Sequence, residues 1–355
     1  MKKCIFSLFM IPLGVLSQTT EESPFTLKGF VDVYYAYDFS HPENHIRQPF
    51  LYNHNRHNEF NLNLALLRVA HSEGRFRTNL AFQAGTYAQD NYSAEENLLK
   101  HIFEANVGVS LNKTQTLWLD AGIFPSHIGF ESAISSDNLT LTRSLLAENS
   151  PYYLSGVKLT GEVSNYLTIT ALVINGWQKI ARNPGNQTPS FGTQFLFHPG
   201  EKFQLNWSTY LGNEQPDSAV LFRFFNNFYA KWKPVNRWEM IAGFDIGIQQ
   251  NETNKSFDKV WYSPVLIARV HLAEKTYLAG RWEYYSDKKG VIINYGAPSF
   301  FQTGGVSLNL DWKLTEKVMF RIEGRHLFSP VETFPKQTSF TRRNFVIVNS
   351  LAAKF

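Results

Sequence analysis

Apolar and polar residues alternate with a period of two from Phe25 to Phe355, whereas helical periodicity is nearly absent. In the segment 238–248 every even position is apolar, and the odd positions include Glu239 and Asp245. Because successive side chains of a strand point to opposite faces, such a segment predicts a strand with one apolar and one polar face. About sixteen strands are predicted in this way, near residues 25–38, 58–70, 75–87, 101–111, 115–124, 152–162, 166–177, 189–197, 202–212, 221–233, 237–249, 259–272, 276–286, 301–313, 317–327 and 343–355.

The connections between these strands alternate in length. Short turns separate eight longer segments, which are 39–57, 88–100, 125–151, 178–188, 213–220, 250–258, 287–300 and 328–342. Short turns at one end and long loops at the other are typical of outer-membrane barrels, whereas a soluble β-sandwich has no reason to segregate loop length by end. We therefore predict an all-β fold, a transmembrane antiparallel β-barrel of about 16 strands with short periplasmic turns and long outer loops. Irregular alternation in 250–300, with Pro264 inside a strand, leaves 14 or 18 strands open.

The mean hydropathy of −0.26 is that of a soluble protein, and no stretch beyond the N-terminus approaches the roughly 18 apolar residues of a membrane helix. A barrel explains this value, because polar side chains that line water average against apolar ones that face lipid.

Aromatic residues make up 15% of the chain, and Trp and Tyr are expected at membrane interfaces. The tryptophans assigned to such girdles or to apolar faces are Trp207, Trp232, Trp238, Trp261, Trp282 and Trp312. The alternative is a stacked aromatic track for sugars inside the lumen, with candidates Trp118, Tyr34, Tyr210, Tyr229 and Tyr285.

The N-terminus has the three parts of a secretory signal peptide. A basic start at Lys2 and Lys3 precedes an apolar run over 5–15, and a small-residue cleavage pattern ends at Ser17. We predict a signal peptide over 1–17, a single barrel domain over 18–355 and an outer-membrane location. The only cysteine, Cys4, leaves with that peptide, so neither a disulfide framework nor a Cys-based zinc site is expected.

The last predicted strand also alternates and ends in an aromatic residue. One face carries Phe345, Ile347, Leu351 and the terminal Phe355. This looks like the recognition signal read by the outer-membrane assembly machinery, and the alternative is an ordinary edge strand. Lipid and lipopolysaccharide of the outer membrane are the other expected partners, and a homo-oligomer is possible. Lys and Arg number 34 against 30 Asp and Glu, too even a balance for a nucleic-acid partner.

Several segments occur in an order that is similar to one known family. They are 57–65 (HNEFNLNLA), 104–108 (EANVG), 117–122 (LWLDAG), 126–132 (SHIGFES), 141–144 (LTRS), 150–153 (SPYY) and 175–177 (NGW). Over about residues 57–177 the chain resembles a porin family of Bacteroidetes-type Gram-negatives, described as OmpL-like or putative β-barrel porin-2. The resemblance implies an outer-membrane porin fold, but it does not fix a solute.

The longest connection, 125–151, is the third long loop, and in many trimeric porins the third loop folds into the lumen. Its Glu131, Asp137 and Glu148 against Arg143 sum to 1 − 3 = −2. Such a loop, facing basic residues of the wall, would set a transverse field that selects ions by sign and size. The alternative is an extracellular loop with merely solvated charges. The residues expected to line the passage are His127, Glu131 and Arg143 on the loop, and Glu104, Asp120, Arg75, Arg77, Arg321 and Arg325 on the wall, with Lys158 as a further base.

Motifs for catalysis are missing from the sequence. It contains no nucleophile elbow of the type Gly-x-Ser-x-Gly, no His-Glu-x-x-His and no phosphate-binding loop. Four histidines in the first long loop, His41, His45, His54 and His57, have no standard ligand spacing, so a polar surface loop is expected rather than a metal site. We predict no enzyme, no cofactor and no metal.

These observations together predict a porin that passes small hydrophilic solutes passively through a water-filled lumen narrowed by loop 125–151. The alternative from another class is a surface-binding or adhesion barrel with a plugged lumen. An outer-membrane enzyme is a third reading.

Overall fold

A computed structural model of the chain describes residues 23–294, 300–337 and 339–355. In these ranges sixteen antiparallel strands form one closed barrel. Each barrel strand pairs with its neighbours along the chain, and the first pairs with the last, from Phe30 opposite Lys354 to Asp38 opposite Val346. The predicted signal peptide, residues 1–17, lies outside the described residues.

The structure fixes the strand bounds. The barrel strands are β1 (Phe25–Asp38), β2 (Phe60–Glu73), β3 (Phe76–Ala84), β4 (Ile102–Ser110), β5 (Leu117–Pro125), β6 (Tyr153–Ser164), β7 (Leu167–Ile174), β8 (Ser190–Gly200), β9 (Phe203–Asn213), β10 (Phe222–Trp232), β11 (Trp238–Gln249), β12 (Lys259–Ala273), β13 (Thr276–Asp287), β14 (Phe301–Lys313), β15 (Val318–Phe328) and β18 (Arg343–Lys354). This confirms the count of sixteen, and the alternatives of 14 and 18 are wrong.

Short elements that the sequence did not predict lie in the long loops. They are a small hairpin of β16 (Phe334–Lys336) and β17 (Ser339–Thr341), the helices α1 (Thr86–Asn91) and α2 (Leu145–Glu148), and 3₁₀ turns at Leu99–His101, Ser135–Asp137 and Asp217–Ala219. Of the residues described, none belong to a helix with the length and apolar character needed to cross a membrane.

Alternation along each strand separates an outer from an inner face. In β10, Phe222, Phe224 and Phe228 are exposed on the outside, and Arg223 and Asn227 are buried inside. The exposed faces carry most of the large apolar side chains, which is the pattern expected of a wall that meets lipid. The predicted binary pattern therefore places the polar residues in the interior.

Pro264 lies within β12 without breaking the strand. It sits opposite Phe244 of β11, but on the β13 side the pairing is absent between Tyr262 and Val265. Proline has no N–H for the ladder, and the hydroxyl of Ser263 donates to the carbonyl of Tyr284 instead (2.7 Å). A neighbouring side chain thus satisfies the acceptor that the proline leaves free.

The loops divide between the two ends of the barrel as the sequence predicts. One end carries short turns, such as 165–166 and 201–202. The other end carries the long connections, among them L1 (39–59), L2 (85–101), L3 (126–152) and L4 (175–189). These four contribute side chains to interior apolar clusters, as do Ile293 and Phe334 of later connections.

Candidate functional site

L3 lies inside the barrel and packs against its wall through apolar side chains. Leu139 and Leu146 are buried against Ile241 of β11 and against Val265 and Ile267 of β12. On the opposite side of the loop, Leu141 packs among Tyr34, Ala36, Val346 and Val348 of β1 and β18. Burial of these residues removes apolar surface from the water-filled lumen, so these contacts hold L3 in a fixed position against the wall.

Polar groups of β9 and β10 hold the first part of L3. His127 donates from Nε2 to the carbonyl of Thr209 (2.8 Å), and its own carbonyl accepts from the hydroxyl of Ser208 (2.7 Å). Two residues on, the amide of Gly129 donates to Asn227 Oδ1 (3.1 Å). Burial lowers the pKa of His127 to about 4, so the ring is neutral at pH 7.

Arginines of β13 and β15 hold the later part of L3. Arg281 donates to the carbonyl of Thr142 (2.5 Å) and to the hydroxyl of Thr140 (2.9 Å). Arg321 donates to the carbonyls of Ser135 (2.5 Å) and Asn138 (3.1 Å). Backbone carbonyls of an irregular loop need partners when they are buried, and these two guanidinium groups supply them.

Carboxylates on the same strands accept from the amides of L3. Glu323 accepts from the amide of Thr142 (2.6 Å), and Glu283 accepts from the amide of Leu145 (2.7 Å). Arg325 pairs with Glu283 (2.8 Å). Arg321 and Arg325 face the interior as expected, but their side chains are only 0% and 1% exposed. L3 covers Arg321, whereas Arg325 is paired with Glu283. Their charges therefore act on L3 and on neighbouring acids rather than on solvent.

Arg143 and Glu148 form an ion pair within L3 (2.7 Å). The guanidinium of Arg143 also lies 3.5 Å from the centre of the Tyr152 ring. Burial alone would lower the pKa of Arg143, but Glu148 and Tyr152 hold it above its ordinary value. Glu148 in turn accepts from the backbone amides of Tyr52 (2.9 Å) and Asn53 (3.3 Å), so this pair joins L3 to L1.

Glu131 connects two distant parts of L3. It accepts from the amide of Ser144 (3.0 Å) and from the hydroxyl of the same residue. Burial raises the pKa of Glu131 above its ordinary value, against the opposing effect of Arg281. The three loop residues expected to face the passage, His127, Glu131 and Arg143, are all buried and hold the loop in shape.

The wall formed by β2–β6 presents the remaining predicted residues. Arg77 binds Asp120 with two hydrogen bonds (2.7 and 2.5 Å), and Arg68 binds Glu104 (2.7 Å). Lys158 is the next base along this wall. Together they line a cavity of about 420 Å³. No residue of L3 belongs to the lining of this cavity. L3 approaches the same wall nearer the long-loop end, where its Ala133 and Ile134 share an apolar cluster with Leu64 and Leu66 of β2.

Arg75 lies at the end of the barrel with short turns, and both Nε and Nη2 donate to the carbonyl of Ser110 (2.9 and 2.6 Å). It is therefore a structural contact of the turn rather than a member of the cavity lining. Sequence reasoning missed Arg68, Arg281, Glu283 and Glu323. Each could have been found from the alternation of its strand. Arg68, for example, is in phase with the inward Leu64 and Leu66.

Tryptophans divide between the outer face and the interior. Trp207, Trp232, Trp238, Trp282 and Trp312 are exposed on the outside, as predicted for a girdle or an apolar face. The prediction is wrong for Trp261, which is 1% exposed and points inward. Its ring packs edge-on against Trp177 and parallel to Phe225, and Arg223 lies over both indoles (5.1 and 5.6 Å).

The other interior aromatic candidates do not form one continuous line. Tyr34 packs with L3, and Tyr210 contacts Trp177 of L4. Tyr229 packs edge-on against Phe130, and Tyr285 packs edge-on against Phe301. Trp118 stacks with the guanidinium of Arg77 (4.1 Å).

Histidines of L1 have different local partners. His54 bonds Asp32 of β1 (2.9 Å), and the ring of His57 accepts from the amide of Asp38 (2.9 Å). Across the described ranges, no three His, Cys, Asp or Glu side chains are grouped so that they could hold a metal ion.

Comparison with known proteins identifies the family. Residues 24–355 match the family described as putative β-barrel porin-2, OmpL-like. No curated protein matches the chain.

Solved structures share the fold. The anion-selective porin from Comamonas acidovorans is 9% identical, with 94% of this chain and 100% of that chain covered and a TM-score of 0.63. The outer-membrane channel DcaP of Acinetobacter baumannii is 9% identical, with coverage of 93% and 97% and a TM-score of 0.63. Salmonella typhi OmpF in complex with daunomycin is 9% identical, with coverage of 93% and 97% and a TM-score of 0.60. At these identities the likeness concerns the fold alone. The family match spans almost the whole chain, and the chain therefore belongs to the putative β-barrel porin-2, OmpL-like family of outer-membrane porins.

Proposed function

We propose that this outer-membrane porin passes small hydrophilic solutes passively through a water-filled lumen that L3 narrows. The observation that carries the proposal is the position of L3 in the barrel interior, where hydrogen bonds join it to β9, β10, β13 and β15. A loop held at so many points narrows the lumen to a fixed width. A fixed width selects solutes by size.

The passage in this proposal runs along the wall of β2–β6, on the short-turn side of the apolar cluster that joins L3 to β2 and β3. Arg77, Asp120, Glu104 and Lys158 line it, together with Arg68. His127, Glu131, Arg143, Arg321 and Arg325 act indirectly, because they hold L3 in position. Family and fold point to a channel rather than to an enzyme.

One observation favours the second candidate, a surface-binding barrel with a plugged lumen. L1 and L3 are joined at Glu148, and Tyr92 of L2 stacks on Tyr153 (ring centres 3.9 Å apart) at the end of L3. Three loops thus meet at the mouth with long loops. If these contacts close the lumen completely, no ions pass.

Single-channel recording in a planar bilayer separates the two candidates. A folded barrel that passes solutes gives stepwise ion current, and liposomes that contain it swell in small sugars but not in large ones. Folding is checked by the change of electrophoretic migration on heating. A heat-modifiable barrel that gives no current would overturn the porin proposal and favour the plugged one.

Export and assembly are further parts of the proposal. Signal-peptide removal predicts an outer-membrane protein that begins at Gln18, which N-terminal sequencing tests. The backbone of Phe355 pairs with Gly29 of β1 (2.7 and 3.0 Å), so the assembly signal would form part of the closing seam. Cross-linking in the membrane tests the oligomeric state.

A further inference from the structure

The open cavity beside β2–β6 carries both acidic and basic side chains, but they lie at different depths. Glu104 and Asp120 are 6% and 4% exposed, whereas Arg68 and Arg77, which pair with them, are 28% and 32% exposed. The guanidinium groups therefore cover the carboxylates. A solute in the cavity meets the positive partner of each pair first.

Both arginines keep hydrogen-bond donors for a ligand. Arg77 uses Nε and Nη2 on Asp120, and Arg68 uses Nη2 on Glu104. Nη1 of each has no partner among the described side chains and backbone groups. Stacking of Arg77 on Trp118 fixes the plane of its guanidinium, which limits the entropy lost on binding.

Lys158 adds a charge that no acid neutralises by direct contact. Among the described residues it forms no ion pair, and its ammonium lies 4.8 Å from the centre of the Phe124 ring. The nearest carboxylate along the sheet, that of its register partner Asp120, is already bonded to Arg77. The cavity thus holds three cationic groups against two covered acids.

The adjoining cavity toward the periplasmic end continues the same sign. It has a volume of about 550 Å³, shares Arg68 with the first cavity and is also lined by Lys28, Lys317 and Lys354. The acidic side chain in its lining, Asp137, is bonded to Lys354. The positive surface therefore continues from the wall of β2–β6 along β1 toward the mouth with short turns.

We propose that Arg68, Arg77 and Lys158 form a binding site for small oxyanions, carboxylate or phosphate, and that this site makes the channel anion-selective. The inference rests on the proposed channel function. Guanidinium forks match the two oxygens of a carboxylate or a phosphate, and the ammonium adds a point charge. The arginines and the lysine compensate the charge of an anion in the cavity, whereas the exposed arginines repel a cation.

Reversal potentials across a KCl gradient test the site. A unit charge about 8 Å from the ion path changes local ion concentrations in opposite directions for Cl⁻ and K⁺, and at about 0.1 M salt the permeability ratio changes about two-fold. We expect wild type to prefer Cl⁻, Lys158→Gln to lower the ratio of Cl⁻ to K⁺ permeability about two-fold, and Lys158→Glu to lower it about four-fold. Neither variant breaks a direct ion pair, and the change of electrophoretic migration on heating checks that each variant is folded.

Lys313→Gln is the matched control. Lys313 of β14 is in phase with the inward Asp311, and its ammonium lies 5.3 Å from the centre of the Tyr277 ring, outside the lining of both cavities. Its removal should leave the permeability ratio unchanged. An equal effect of Lys158→Gln and Lys313→Gln would mean a diffuse field and would overturn the site.

Inorganic phosphate probes binding itself. Phosphate added at constant ionic strength should reduce the chloride current of wild type and reduce that of Lys158→Gln less. A wild-type current that is cation-selective or unselective, or one that phosphate leaves unchanged, overturns the oxyanion site but not the channel. The absence of any current overturns the proposed function, and the inference fails with it.

Discussion

Replacement of Arg143 by methionine should release L3 from L1 without unfolding the barrel. Both side chains of the Arg143–Glu148 pair are 1% exposed. Removal of one partner of a buried ion pair typically costs about 3–5 kcal/mol, because the remaining charge is buried without compensation. After the replacement, Glu148 still accepts hydrogen bonds from the backbone amides of Tyr52 and Asn53, so we expect a loss of stability at the lower end of this range.

This loss of stability can be measured as an increase in the rate of amide hydrogen exchange. A loss of about 3 kcal/mol raises the equilibrium constant for local opening about 150-fold. Hydrogen exchange followed by mass spectrometry should show this increase at amides 52–53 and 145–149, while the barrel strands stay protected. The exposed Arg342 lies in another loop, and Arg342→Met should leave these amides unchanged.

A double-mutant cycle supplies the refutation. Glu148→Gln alone leaves Arg143 buried and should also speed exchange strongly. The double variant Arg143→Met/Glu148→Gln has no buried charge at these two positions, and we expect it to lose about 1 kcal/mol, so its exchange is slower than that of either single variant. Additive losses in the cycle, or normal exchange in Arg143→Met, would refute the assignment of this pair as the link between L3 and L1.

Three further predictions concern the seat of L3 and the seam. The folded-state pKa of His127 is about 4, below the ordinary 6.5, so the stability that neutral His127 contributes is present above pH 6.5 and is lost as the pH falls toward 4, by about 3 kcal/mol in total. After correction for intrinsic rates, hydrogen exchange of the L3 amides should therefore rise at low pH in wild type. An equal rise in His127→Gln would contradict this. A Cβ at Gly243 would lie 2.5 Å from Phe130 of L3, so Gly243→Ala should displace the loop and alter the conductance, whereas Gly280→Ala, with its nearest neighbour at 3.9 Å, should not. Deletion of Phe355 should lower the heat-modifiable fraction in outer membranes, and an undiminished fraction would remove it from the assembly signal.

The strands could be predicted from the sequence because their signal is local. The predicted 301–313 and 259–272 correspond to β14 and β12 within one residue. Trp261 shows where this signal ends. In β12 both faces carry apolar residues, Val260 and Leu266 outside and Trp261 and Val265 inside, so the pattern does not fix which face meets lipid.

The position of L3 could be anticipated only by analogy with other porins. Its anchors are contacts such as the amide of Thr142 with Glu323, and no local pattern encodes contacts between residues so far apart. Alternation predicts that Arg321 and Arg325 point inward, and the structure agrees. It does not predict that both side chains are fully buried, whereas that of Arg77 remains partly open to the lumen.

The anchors of L3 also order the events of assembly. L3 lies between β5 and β6, but Arg281, Arg321 and Glu323, which hold it, belong to the last third of the chain. Contacts between such distant residues form late, because chain entropy opposes long closures until other pairings have shortened them. Until then water solvates both the loop and these charges. We therefore expect the cylinder to close first as a wide, hydrated ring, and its interior to become narrow only in the final stage of maturation.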